Sequence, residues 1–264
     1  MNGRFVVRGT ALVLLVALPI VAAVLIWRGA DWFSGPIEIP PPPAIDAPRG
    51  ALPDGRVGLI EQAQYEGEAY HGVGHGFVLR LADGRLVGMT TAHSLSFDAR
   101  PPLRRVALIE VGAARPALEA DTLHGEPGTA RSGEDMTVDY VLLAIPADAA
   151  IDPVLVVQPD PRGLPQPGER VTLYTSFGGQ PRTLTGAVTS AEAQAVWVAM
   201  DDDFDPSGMS GSPVVSQHTG QAIGMVIATT RRGGMRLLGL HPIGSLVQRA
   251  EAAEDFPKIE AYRR

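Results

Sequence analysis

The feature that most constrains the fold of this sequence is a succession of short apolar runs, rich in β-branched residues and bounded by glycine, proline or aspartate. Such runs are typical of strands in a sandwich or barrel, because branched side chains pack well on a pleated surface. The 30 glycines and 23 prolines among 264 residues also favour many turns over long helices. The sequence therefore predicts an all-β domain. Its strands are expected at Phe77–Leu81, Leu86–Thr91, Val106–Val111, Tyr140–Ile145, Val154–Val157, Val171–Thr175, Thr183–Thr189, Ala195–Met200, Ile223–Thr229 and Met235–Leu240.

The segments between these runs divide the domain in two. Asp83-Gly84 joins the first two predicted strands, and an Asp-Gly pair supplies the positive φ that a tight hairpin needs. A proline- and aspartate-rich stretch over 147–168 predicts a connector between two strand-built halves, 57–150 and 165–254. Only Ser245–Glu254 has a helical pattern, with Ser245 as a plausible N-cap.

The N-terminus carries a different signal. Gly9–Trp27 is a run of 19 residues without a charge, which as a helix would extend roughly 28 Å, close to the thickness of a hydrocarbon core. Arg4 and Arg8 precede the run and favour an N-terminus that stays inside, with the rest exported. Residues 1–30 therefore predict a single-pass anchor in the cytoplasmic membrane, with the following domain outside. The alternative is a cleaved secretory signal with a site at Val21-Ala22-Ala23.

Residues 31–56 include four consecutive prolines, Pro40 to Pro43. Because proline removes a backbone donor and fixes φ, such a segment predicts an extended, semi-rigid linker rather than a helix or a strand. A disordered tail without a spacer role is the other interpretation of the same composition.

Composition excludes several classes of function. The net charge is -7 and no basic stripe is present, so nucleic acid is not an expected partner. Cysteine is absent, which removes disulfides, thiol catalysis and thiolate metal sites. His71 and His75 lie four residues apart among glycines, but a strand gives them no shared helical face and no third ligand is near. The sequence predicts neither a metal nor a cofactor.

Three motifs could carry chemistry. Ser210 lies in GMSGSP, where flanking glycines permit a tight turn that exposes a hydroxyl and frees backbone N–H groups. His93 follows a predicted strand in TTAHS, and Asp139 opens another in DYVLL, ahead of the nearby competitors Glu134 and Asp135. Taken singly, each has an ordinary explanation: a turn, a histidine at a strand end, and an acidic strand edge.

Together the three motifs, in the order His, Asp, Ser, resemble those of the chymotrypsin-like (trypsin-like) serine peptidase superfamily, and the resemblance covers 58–254. The GSP after the serine, the lack of cysteine and the short second half are similar to the bacterial glutamyl endopeptidases and periplasmic stress proteases. The resemblance implies two six-stranded antiparallel β-barrels followed by a C-terminal helix, with the active site between the barrels. It implies His93, Asp139 and Ser210 as a catalytic triad and the backbone N–H groups of Gly208 and Ser210 as an oxyanion hole.

The resemblance is incomplete in two respects. Met209 stands where digestive members have an aspartate that pairs with a freshly cut N-terminus, so activation by that salt bridge is not expected. Glutamate-specific relatives have a histidine where Ile227 stands here. By alignment, substrate-binding residues are expected at Phe204, Asp205, Ile227, Ala228 and Thr229. Phe204 favours a shallow apolar pocket for a small side chain, whereas the acidic run 201–203 with Asp205 would favour a basic residue or Ca²⁺ if it is more than a solvated loop.

The sequence therefore predicts a membrane-anchored serine endopeptidase acting on proteins or peptides. One alternative is a catalytically silent domain of the same fold that serves as a binding or assembly module. An esterase is a third hypothesis, but the Gly-x-Ser-x-Gly elbow in an α/β pattern that esterases use is missing.

Overall fold

The computed structural model describes residues 37–262. Within this range the chain forms thirteen strands and one α-helix. The strands are β1 Leu59–Tyr65, β2 His71–Arg80, β3 Leu86–Thr90, β4 Leu103–Ile109, β5 Leu118–Ala120, β6 Val141–Ala144, β7 Val156–Val157, β8 Arg170–Phe177, β9 Gln180–Ala191, β10 Val196–Met200, β11 Pro213–Ser216, β12 Ala222–Arg232 and β13 Met235–Pro242. The helix, α1, is Ile243–Glu251.

The first half forms an antiparallel sheet in the order β5-β4-β1-β2-β3-β6. Its two edges are joined by backbone hydrogen bonds just beyond β5, from His124 N to Leu142 O (2.8 Å) and from Ala144 N to Thr122 O (3.0 Å). These bonds bring the ends of the sheet together, so the first half closes into a six-stranded barrel. The short β7 belongs to the connector and pairs in parallel with β2.

The second half is a closed barrel in the order β10-β13-β12-β11-β8-β9. The β8–β9 hairpin is paired without interruption from Arg170↔Ala187 to Phe177↔Gln180. The prediction of an all-β domain with two six-stranded barrels and a C-terminal helix is confirmed.

Three buried apolar clusters form the core of the two barrels and of the contact between them. One fills the first barrel, with Leu59, Val106 and Leu143 among its members. Another fills the second, around residues such as Leu173 and Val214. The third contains side chains from both halves and from α1. The barrels are thus packed on each other through a continuous apolar contact, which makes the cleft between them a fixed feature of the fold.

Several element boundaries differ from the sequence expectation. The helix begins at Ile243, with Pro242 as its N-cap, and ends at Glu251. Ser245 therefore lies inside the helix, because β13 runs directly into it through the extended backbone of Pro242. The sequence pattern also missed β1, β5 and β11, which are short or interrupted by polar residues.

The N-terminal part of the described chain is extended, without helix or strand, over residues 37–56. It lies along the second barrel: His218 Nε2 is 2.6 Å from Ala47 O, Gly50 N donates to His218 O (2.9 Å), and the Tyr174 hydroxyl donates to Pro53 O (3.3 Å). From Ile37 onward, the predicted linker is packed on the folded unit.

Within residues 37–262, no helix has the length and apolar character needed to cross a membrane. The predicted anchor, residues 1–30, lies outside the described range.

Candidate active site

His93 is positioned by the end of β3. The hydroxyl of Thr90, the last residue of this strand, donates to His75 O (2.8 Å). The chain then turns sharply, and the turn is held by Ser94 Oγ donating to Thr91 O (2.9 Å). This turn leaves the His93 side chain 34% exposed at the surface of the first barrel.

Asp139 is positioned by a short 3₁₀ turn, Met136–Val138, that precedes β6. Asp135, the neighbouring acidic competitor, caps this turn and accepts a hydrogen bond from Thr137 N (2.8 Å). Asp139 follows as the C-cap, and its side chain is only 1% exposed. The two carboxylates therefore have different tasks, because one caps a turn at the surface and the other is buried beside His93.

The Asp139 carboxylate accepts four hydrogen bonds. Its Oδ1 accepts from Ala92 N (2.7 Å) and His93 N (3.1 Å), and its Oδ2 accepts from Arg131 N (3.0 Å) and His93 Nδ1 (2.8 Å). Burial alone would raise the pKa of Asp139. The hydrogen bonds from His93 and from the backbone outweigh burial, and the pKa is held below its usual range. The carboxylate is therefore charged near neutral pH.

Ser210 lies in the loop between β10 and β11 of the second barrel, and its Oγ is 2.8 Å from His93 Nε2. Because the charged Asp139 can only accept, His93 carries its proton on Nδ1 and accepts a hydrogen bond from the Ser210 hydroxyl at Nε2. Side chains from three separate segments therefore form one chain of hydrogen bonds across the cleft between the barrels.

The Ser210 loop is tied to the second barrel on both sides. Gly211 N donates to Val226 O (2.8 Å), and Val226 N donates to Ser212 O (3.0 Å). Met209 is 2% exposed and belongs to the apolar cluster of this barrel. The residue before the serine thus fixes the loop through apolar burial, a role that an ionised side chain could not fill at the same position.

Gly211 allows the loop to approach the first barrel closely. Its φ is +89°, and a Cβ at this position would lie 1.8 Å from His75 O. Only glycine fits here, because any side chain would collide with the backbone of β2.

Two backbone N–H groups of the loop are available to a ligand. Within residues 37–262, Gly208 N and Ser210 N donate to no protein acceptor, whereas Met209 N donates to Pro206 O (3.2 Å). Gly208 has a φ of +76° and is exposed. Free N–H groups beside a serine hydroxyl are donors of the kind that can stabilise an oxyanion.

The five predicted substrate-binding residues lie on two segments. Phe204 packs against the second-barrel cluster, with the Arg236 guanidinium 5.9 Å from its ring centroid. Asp205 accepts from Ser207 N (3.0 Å) and Ser207 Oγ (2.6 Å). The acidic residue thus caps its own loop.

The other three predicted residues are consecutive on β12. Ile227 is buried in the apolar cluster that contains side chains from both halves, whereas Ala228 and Thr229 are half-buried. The register of β12 against β13 shifts at this point, between Val226 and Ala228. Among the residues described, no group of three or more His, Asp or Glu side chains could hold a metal ion.

Sequence reasoning missed two contributors. The Arg131 contact to Asp139 is made by a backbone N–H, so no side-chain motif in the sequence could predict it. His75 was considered only as a metal ligand, yet both of its ring nitrogens are hydrogen-bonded, and Nδ1 contacts Gly208 O. The available signal was the tripeptide GHG in β2, because a histidine between two glycines can approach a neighbouring segment closely.

Comparison with known proteins supports this description at the level of fold. No protein-family model and no curated protein matches the sequence. Among solved structures, the active form of the Rv3671c protease from M. tuberculosis matches with a TM-score of 0.50 at 17% identity, covering 83% of this chain and 96% of its own. The thermostable serine protease AL20 from an extremophilic microorganism matches with a TM-score of 0.51 at 13% identity, covering 74% of this chain and 96% of its own.

A third match is a scabies mite inactivated protease paralogue, with a TM-score of 0.52 at 17% identity, covering 76% of this chain and 96% of its own. All three are proteases or protease paralogues. The chain has the chymotrypsin-like protease fold. Since one structure with this fold is named as inactivated, the fold alone does not imply activity. Within a chymotrypsin-like chain, the question of activity therefore depends on the side chains in the cleft.

Proposed function

We propose that this chain is a serine endopeptidase that cleaves proteins or peptides through an acyl-enzyme intermediate. The observation that carries the proposal is the unbroken relay from the buried Asp139 carboxylate through His93 to the Ser210 hydroxyl, with 2.8 Å at each of the two side-chain contacts. These distances are those of ordinary hydrogen bonds, so the hydroxyl needs no rearrangement to lose its proton to the imidazole.

In the proposed reaction, Ser210 Oγ attacks the carbonyl carbon of the scissile peptide while its proton passes to His93 Nε2. The charged Asp139 stabilises the resulting imidazolium. The carbonyl oxygen becomes an oxyanion that accepts from Gly208 N and Ser210 N. Collapse of the tetrahedral intermediate breaks the C–N bond, His93 donates the proton to the leaving amine, and water then repeats the sequence to release the acyl group.

A fluorophosphonate probe tests the nucleophile. We expect covalent labelling of the wild type and none of Ser210→Ala, because the probe reacts only with an activated serine hydroxyl. Ser207→Ala, in the same loop, is the matched control and keeps the label. If the wild type remains unlabelled across neutral and alkaline pH, the catalytically silent binding module is the correct interpretation.

Digestion of a peptide library then tests the endopeptidase. Cleavage within peptide chains supports the proposal and gives the preference on either side of the cleaved bond. Labelling without cleavage of any peptide would instead assign Ser210 to the hydrolysis of an ester or a thioester.

The proposal places the enzyme on the outer side of the cytoplasmic membrane, held by residues 1–30. Its support is the uncharged run Gly9–Trp27, whose composition suits a hydrocarbon environment. The paired substitution Leu14→Arg and Val16→Arg should move the protein from the membrane fraction to the soluble fraction, because each central arginine costs roughly 3 kcal/mol on insertion. A mature wild-type protein that begins after Ala23 would identify the run as a cleaved signal.

A further inference from the structure

His75 connects the first barrel to the serine loop. It lies on β2 and is 5% exposed. Its Nδ1 is 2.6 Å from Gly208 O, and its Nε2 is 2.8 Å from Ser176 Oγ on β8. Ser176 N also contacts this Nε2, at 3.1 Å. The imidazole therefore bridges β8 and the serine loop while belonging to the opposite barrel.

The partners of the ring fix its tautomer. The Ser176 N–H can only donate, so Nε2 must accept, and the Gly208 carbonyl can only accept, so Nδ1 must carry the proton. The ring is consequently neutral. Burial lowers the pKa of His75, which the bond to Gly208 only partly offsets, and this agrees with a neutral ring at physiological pH.

The backbone of His75 holds the same loop. His75 N donates to Ser210 O (2.8 Å), and Gly211 packs directly on His75 O. His75 thus contacts the carbonyls of both neighbours of Met209: its ring contacts the Gly208 carbonyl and its backbone N–H contacts the Ser210 carbonyl. Together with the buried Met209 side chain, these contacts leave the short loop little freedom.

The Gly208 carbonyl needs such a partner. Glycine populates positive and negative φ with similar ease, so a solvent-exposed Gly208 has no intrinsic preference for its observed φ of +76°. Rotation about the φ and ψ bonds of Gly208 would redirect its N–H, which is one of the two free donors of the loop. We infer that His75 is a positioning residue, whose Nδ1–H fixes the Gly208 carbonyl and so keeps the proposed oxyanion donors aligned. The inference rests on the proposed function, because it concerns the same reaction.

Two amide substitutions separate the two ring nitrogens. In His75→Asn, the side-chain amide can place an N–H near the position of Nδ1, whereas in His75→Gln the amide reaches only the position of Nε2. The probes are a fluorophosphonate, for the rate of Ser210 modification, and p-nitrophenyl acetate, for kcat and KM. His71→Gln, an exposed histidine on the same strand, is the matched control and should leave both rates unchanged.

We expect His75→Gln to lower kcat about 10²-fold with KM within about twofold, the size of effect seen when one oxyanion donor is lost. His75→Asn should recover kcat to within about threefold of wild type. A purely structural role for the ring would not distinguish the two amides, since both lose the imidazole.

The outcomes separate the inference from the proposed function. If the wild type is labelled and His75→Gln reacts at the wild-type rate, or if a folded His75→Asn is as slow as His75→Gln, the positioning role is wrong while the serine hydrolase stands. If His75→Gln shows no cooperative thermal transition, His75→Leu, which also lacks an N–H at the Nδ1 position, takes its place in the comparison with His75→Asn: a kcat about 10²-fold lower than that of the Asn variant supports the role and an equal kcat overturns it. An unlabelled wild type overturns both.

Discussion

At the scale of single residues, the carboxylate of Asp139 combines near-complete burial with a full set of donors. A buried carboxylate is costly unless it is paired and hydrogen-bonded, and here each of its two oxygens accepts two bonds. Three of the donors are backbone N–H groups, which hold the carboxylate in place whatever the state of His93. The charge that orients the imidazole is therefore built into the first barrel.

Asp139→Asn should abolish most of the reactivity of Ser210 while the fold persists. The amide can present an N–H to His93 Nδ1, which forces the imidazole proton onto Nε2, where it can no longer accept from the serine. The rate of fluorophosphonate labelling should fall about 10⁴-fold, as expected for a wrong tautomer. Asp135→Asn is the control and should label normally, although it weakens the cap of the 3₁₀ turn. Labelling of Asp139→Asn at the wild-type rate would contradict the assigned relay.

The sequence could predict residues with characteristic side chains more readily than contacts made by the backbone. The TTAHS, DYVLL and GMSGSP motifs directed attention to three side chains that the structure places in one hydrogen-bonded chain. The Arg131 N–H and the His75 N–H contacts depend on how distant segments pair, and backbone groups are the same in every residue. Neither could be inferred from residue type.

At the scale of elements, β1 shows why the apolar pattern of a sequence can fail to predict a strand. Its residues alternate between buried and half-buried positions from Leu59 to Tyr65, as a barrel strand requires. One of the inward positions is Glu61, which is fully buried. A charged residue type at an inward position interrupts the apolar alternation, so the pattern that predicted most of the strands failed here.

Glu61 makes the stability of the fold depend on pH. Neither carboxyl oxygen has a hydrogen-bond partner among residues 37–262. The hydroxyls of Ser94 and Thr90 are near, but they donate to Thr91 O and His75 O. Burial, which these hydroxyls only partly offset, raises the pKa of Glu61 from 4.5 to about 8. Because the folded-state pKa is raised, the contribution of Glu61 to stability is full below pH 4.5 and is lost as pH rises toward 8.

Glu61→Gln should remove this dependence, since the amide is neutral at every pH. Relative to wild type, its free energy of unfolding should increase between pH 5 and pH 8 by up to about 4 kcal/mol, at ~1.4 kcal/mol for each unit of pKa difference. Denaturant unfolding at the two pH values measures the change. Glu68→Gln, at an exposed turn, is the control and should show no such trend. A constant difference between Glu61→Gln and wild type would mean that Glu61 is ionised inside the fold.

At the scale of the whole molecule, the two described segments that flank the barrels, residues 37–56 and the chain after α1, each pack on the barrel that is remote from them in sequence. Residues 37–56 precede the first barrel but lie along the second. The segment after α1 follows the second barrel but pairs with the first, where Leu123 N donates to Pro257 O (2.8 Å) and Ile259 N to Asp121 O (2.9 Å). These two segments, called here the crossed segments, each connect to one barrel through the chain and pack on the other. They therefore join the barrels non-covalently in a chain that has no cysteine.

The division into two halves could be predicted from sequence because the connector is rich in proline and aspartate, but the crossed segments could not. Proline-rich composition indicates only that residues 40–43 form neither helix nor sheet. It does not say against which surface an extended chain will lie. That is decided by complementary positions elsewhere, such as Gly220, where a Cβ would be 2.0 Å from Ala51 O.

Gly220→Ala should therefore release the N-terminal segment from the second barrel. The φ of Gly220 is +70°, so alanine costs about 1–2 kcal/mol in backbone strain alone, and the collision with Ala51 O adds the loss of the contacts around Gly50 and His218. Gly67→Ala is a matched control, because Gly67 has a φ of +76° and no atom within 4 Å of an added Cβ. Limited proteolysis of residues 40–54 should be at least about tenfold faster in Gly220→Ala than in Gly67→Ala, since a docked segment is cleaved only when it opens.

Equal cleavage rates in the two variants would show that strain at the glycine accounts for the whole effect and that the segment does not depend on this contact. A selective increase would establish that residues 40–54 are docked on the second barrel through the contact at Gly220.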